Sequence, residues 1–150
     1  MPSAEFTRTL DVASPPAACW SVLTDVERMA TWVTVAHDVS EIEHLKTYRV
    51  VLQDQFGPFK LNADVDVEVT DVDPERSIHF KGSGQDRHVG TTISVDARMD
   101  LAETETGSTM TIEGTYHVLG AVAAMGTSTI RKKADTIMEE FFEAAASELS

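Results

Sequence analysis

IRKKADTIMEEFFEAAASEL, residues 130–149, is the stretch on which the fold turns. Ile130, Ala134, Ile137, Met138, Phe141, Ala145 and Leu149 recur at steps of three and four, which gathers apolar side chains on one side of an α-helix. Arg131, Lys132, Lys133, Asp135, Glu139, Glu140 and Glu143 fall mostly off that stripe. Starting at Thr127, with Thr127 or Ser128 as N-cap, the helix would be about 33 Å long at 1.5 Å per residue. A helix of that length needs a broad apolar surface to lie against, and the alternating segments upstream are patterned to supply one.

Phe6, Arg8, Leu10 and Val12 alternate with Thr7, Thr9 and Asp11, a strand with one buried face on which Arg8 is the misfit. Ser14-Pro15-Pro16 then opens a helix over Pro16 to Leu23, with Ser14 expected as N-cap and Pro15 in the first turn, where a missing N–H costs nothing. Asp25 reads as the cap of a second short helix from Val26 to about Thr31, leading to Trp32. His37 to Leu45 is expected as an edge strand, and Tyr48, Val50 and Leu52 mark the next, which ends at Phe56-Gly57-Pro58.

The cleanest alternation follows: Phe59, Leu61, Ala63, Val65, Val67 and Val69 face one way, and Lys60, Asn62, Asp64, Asp66, Glu68 and Thr70 the other. One face is therefore dry and the other wet. After the turn at Asp73 to Arg76, Ile78 and Phe80 form a strand that Gly82-Ser83-Gly84 is expected to break. Ile93 to Leu101, and Met110 to Val118 after a hairpin near Gly107, supply the last two dry faces. Consecutive strands on short turns pair antiparallel, and a sheet dry on one face requires a cover. The expected class is α+β: a curved antiparallel sheet of about seven strands wrapped around a long C-terminal helix, with two short helices after the first strand, all in one domain spanning 1–150.

Charge narrows the partners. With 25 acidic against 12 basic residues the net charge is −13, which opposes phosphate backbones and anionic lipid surfaces alike. Nucleic acid and direct anionic-membrane binding are not expected, although a neutral lipid carried inside is compatible. One cysteine, no leader-like opening and no apolar run near 20 residues predict a cytoplasmic chain without a membrane anchor.

No metal or cofactor is expected, because His37, His44, His79, His88 and His117 share no ligand spacing with each other or with Cys19. Cys19, on the buried side of the first helix, reads as a small hydrophobe, and His79 and His117 fall on the wet face. No nucleophile elbow, phosphate loop or dinucleotide fingerprint is present. What remains is either a simply filled core, since interiors are close-packed, or a cavity, which the small inward residues Ala63, Ala97, Gly114, Ala134 and Ala145 favour. Its expected lining is Arg8, Trp32, Tyr48, Phe59, Leu61, Phe80, Val95, Ile112, Tyr116, Met125, Ile130, Ala134 and Met138. Arg8, Tyr48 and Tyr116 are the groups able to orient a ligand carbonyl or hydroxyl. Gly120 and Gly126 bracket Ala121 to Met125, a candidate lid.

The order of elements, together with Ser14-Pro15-Pro16 to Trp20, Phe56-Gly57-Pro58-Phe59-Lys60, Asp71-Val72-Asp73-Pro74-Glu75, Lys81-Gly82-Ser83-Gly84 and Gly120 to Gly126 leading into Ile130-Arg131-Lys132-Lys133-Ala134, resembles the helix-grip fold of the START and polyketide-cyclase superfamily. Within it the chain is most similar to the branch named for the G subunit of carbon monoxide dehydrogenase. The resemblance implies non-catalytic binding of a lipid- or quinone-like molecule and a helper role toward a molybdenum hydroxylase-type enzyme or other protein partner. A cyclase or aromatase-like enzyme working through Tyr48, Tyr116, Arg8 or His37, and an acidic interaction protein without a ligand, are the alternatives.

Overall fold

The computed structural model describes residues 3–33, 35–56, 59–86, 90–120, 123 and 126–149, without the side chains of 3, 4, 54–56, 59 and 127. Strand β1 (Ser3–Val12) leads into helices α1 (Pro16–Leu23) and α2 (Val26–Ala30). Strands β2 (Ala36–Glu43), β3 (Thr47–Phe56), β4 (Phe59–Asp73), β5 (Ser77–Asp86), β6 (Thr91–Thr104) and β7 (Gly107–Gly120) follow, and helix α3 (Thr127–Glu148) closes the chain. All seven strands form one antiparallel sheet in the order β1-β7-β6-β5-β4-β3-β2, so each hairpin pairs with its sequence neighbour and β1 closes on β7.

The register fixes which side chains share a face. Tyr48, Val67, Gly82, Val95 and Tyr116 lie in one cross-strand row, and Ile78, Met99, Ile112 and Arg8 in another. These rows face α3, while Asp64, Asp66 and Glu68 face away. The apolar interior falls into two clusters. The larger joins Val12, Cys19, Leu23, Trp32, Ile78, Met99, Leu101, Met110, Ile112, Ala145 and Leu149, so it ties α1, α2 and the C-terminal half of α3 to one end of the sheet. The smaller joins Leu61, Ala63, Val65, Val118 and Ile130 at the other end.

Three local expectations change. Pro15, not Ser14, is the N-cap of α1, because the Ser14 backbone is already engaged: its N–H donates to the Leu149 carbonyl, and its own carbonyl accepts from Ser108 Oγ at 2.7 Å. Gly126, with φ of 94°, caps α3 in place of Thr127 or Ser128. The glycines of β5 do not break the strand. At Gly84 a Cβ would lie 2.1 Å from the Asp64 carbonyl oxygen, so glycine is what lets β4 and β5 approach while pairing continues to Gln85. Asp25 caps α2 as expected, accepting the Arg28 N–H.

Candidate functional site

The centre of the inner face is where the two clusters part. Val95 and, on α3, Ala134 and Ile137 carry inward-phase side chains that are half-buried and belong to neither cluster. Ile130 is 4% exposed one turn before them, and Ala145 is fully buried two turns beyond. The cross-strand rows here are floored by Gly82, Ala97 and Gly114, whose small size leaves α3 little to pack on.

The expected lining residues are distributed unevenly around this gap. Leu61, Tyr116 and Ile130 meet in or against the smaller cluster. Trp32, Phe80, Ile112 and Met138 meet in or against the larger, where the Trp32 ring sits 5.3 Å from that of Phe141. Val95 and Ala134 lie between. Phe59 belongs to β4, but its side chain lies outside the described residues, as does Met125 entirely.

The three polar candidates differ in what they do. Arg8 is exposed at the sheet edge, its Nη2 3.4 Å from Asp135 Oδ1 on α3. Tyr48 is buried and its hydroxyl accepts the Leu45 N–H at 2.7 Å, clamping the β2–β3 turn where Leu45 has a φ of 56°. Burial pushes the Tyr48 phenol above its ordinary pKa, which holds it neutral. Tyr116 is half-buried with its ring 6.5 Å from Phe6, and its hydroxyl has no hydrogen-bond partner among the described residues.

Nucleophilic chemistry has little to work with. Cys19 is fully buried, its thiol donates to the Ser14 carbonyl, and burial pushes its pKa up, away from the reactive thiolate. His37 is exposed on the edge strand. Among the described residues, no group of His, Cys, Asp and Glu is arranged to hold a metal ion.

Sequence reasoning missed Asp86, 2% exposed on the inward phase of β5, whose Oδ2 accepts the Asn62 N–H at 2.6 Å. Carrying the alternation Ile78, Phe80, Gly82, Gly84 one step further would have found it. His117, expected on the wet face, is half-buried, and its buried Nδ1 has no partner among the described residues.

The family model for the G subunit of carbon monoxide dehydrogenase (CoxG) matches residues 9–150, nearly the whole chain. The chain belongs to that family. Among solved structures, this CoxG family member is similar to a conserved protein from Geobacillus kaustophilus, at 20% identity over 97% of this chain and 95% of that one, with a TM-score of 0.84. A START superfamily protein from Mycobacterium smegmatis matches at 12% identity over 97% and 99%, with a TM-score of 0.71. The di-domain aromatase/cyclase StfQ from the steffimycin biosynthetic pathway matches at 11% identity and a TM-score of 0.70, over 99% of this chain and 51% of that one. These likenesses show the helix-grip fold. No curated protein matches the chain in sequence, and no described helix is long and apolar enough to cross a membrane.

Proposed function

We propose that this CoxG family member binds a hydrophobic small molecule, lipid- or quinone-like, between the sheet and α3, and performs no chemistry on it. The observation that carries the reading is Tyr116: an inward phenol beside the gap between the two clusters, half-buried, with its hydroxyl unclaimed among the described residues. A phenol facing apolar walls suits a ligand carbonyl or hydroxyl, with Val95, Ala134 and Ile137 giving the apolar contact. Membership of the CoxG family supports a helper role toward a molybdenum hydroxylase-type enzyme. Cyclase-like catalysis has less support, because the Tyr48 hydroxyl accepts a backbone N–H, Arg8 is paired at the edge and His37 is exposed.

Titration with a short-chain quinone and with a fatty acid, read by quenching of Trp32 and Trp20, tests it. Saturable binding is expected, with Tyr116→Phe weakening the quinone by roughly five- to tenfold, the worth of one hydrogen bond, and the fatty acid less. Absence of saturable binding of either probe up to high micromolar concentration would refute the reading. Turnover of an aromatic polyketide substrate that vanishes in Tyr116→Phe would replace it with the cyclase alternative.

A further inference from the structure

The face of the sheet that points away from α3 has no covering element among the described residues, and two grooves cross it. One, of about 740 Å³, runs from Ile42 on β2 to His117 on β7. The other, of about 680 Å³, lies over β4 and β5, and the two share Asp66 and Ser83. Strands spaced about 4.8 Å apart make the six-strand span about 24 Å, room for about seven residues of extended chain. Serines 83 and 94 keep its floor low.

The charge of this trough is one-sided. Its two cations are already neutralised: Arg49 Nε lies 2.9 Å from Asp66, and Lys81 Nζ 3.8 Å from Asp96. Glu68, beside Asp66 on the same face of β4, has no salt-bridge partner among the described residues, and Asp64 on the other side of Asp66 shares the charge of Arg49 with it. At the β7 end, the buried Nδ1 of His117 has no hydrogen-bond partner among the described residues. At the β2 end, Ile42 is 62% exposed, an apolar contact beside the acids.

We propose that this outer face docks a basic, extended segment of a partner protein, laid across the strands from β3 toward β7, with a lysine or arginine side chain entering the groove over β4 and β5. The proposal is independent of whether the interior holds a hydrophobic molecule.

The test uses a fluorescein-labelled peptide of four Lys-Thr repeats, with a Gln-Thr peptide as neutral control, read by anisotropy against the intact chain. Binding of the lysine peptide alone is expected, weakening as salt rises. The combined variant Asp64→Asn, Asp66→Asn, Glu68→Gln should lose at least tenfold in affinity. The combined variant Asp73→Asn, Glu75→Gln, Glu103→Gln removes the same charge at the other end of the sheet and should lose less than twofold. Amide shifts on the unmodified protein should concentrate on β4, β5 and β6, a readout that does not depend on how well the variants fold. Equal losses in both variants, shifts spread over the whole surface, no binding, or concentration-dependent self-association that buries this face would each overturn the proposal.

Discussion

Single side chains carry the sharpest consequences. At Gly84 the Asp64 backbone leaves no room for a Cβ, so Gly84→Ala should destabilise the fold by about 2–3 kcal/mol in urea denaturation, as overpacking does when backbone must yield. An unchanged midpoint would show that β4 and β5 can part freely. On the outer face, the hydrogen bond from His79 holds the Asp96 carboxyl below its ordinary value of 3.8. The folded pKa is therefore below the unfolded one, and the pair's contribution is complete above the ordinary carboxylate range and lost as pH falls through the lowered value. Wild type should lose more stability than Asp96→Asn between about pH 6 and about pH 3; parallel losses would contradict the pairing.

At the level of elements, the two ends of α3 differ. Its C-cap, Leu149, is 1% exposed and its carbonyl accepts the Ser14 N–H, so this end of the helix is anchored against the β1–α1 junction. Leu149→Ala should cost about 3 kcal/mol in the same denaturation experiment, large for a residue at the end of a helix. At the start of the helix Gly126 has a φ of 94° with nothing within 4 Å of where a Cβ would stand. Gly126→Val should therefore cost about 1–2 kcal/mol from backbone strain alone, without any clash. The helix itself was legible, since Ile130, Met138, Phe141, Ala145 and Leu149 of its three- and four-residue stripe are residues that the two clusters use. Caps were less legible: Ser14 looks like an N-cap by residue type, yet Ser108 and Leu149, distant in sequence, claim its backbone. The break expected at Gly82 to Gly84 failed for the opposite reason, since close backbone approach across strands asks for glycine just as a turn does.

For the molecule as a whole, order of elements and strand pairing followed from alternation and short turns, which are local properties of the chain. The interior site followed only in part. Alternation puts Leu61, Val95 and Tyr116 on one phase of their strands, but it could not show that Tyr48 would spend its hydroxyl on the Leu45 N–H or that Arg8 would reach Asp135 at the edge. Those outcomes depend on loop conformation and on the lateral position of α3, which no periodicity encodes. The lid expected at Ala121 to Met125 falls largely outside the described residues, although Gly120 and Gly126, both with positive φ, stand at its ends. On the proposed reading, the half-buried positions Val95, Ala134 and Ile137 between the two interior clusters take up the molecule. Native mass spectrometry of gently purified protein, followed by organic extraction, tests this most directly. A co-purifying apolar molecule at up to one per chain, lost on extraction and depleted in Tyr116→Phe, is the predicted result; a single apo mass in every preparation, with no uptake of added quinone or fatty acid, would contradict it.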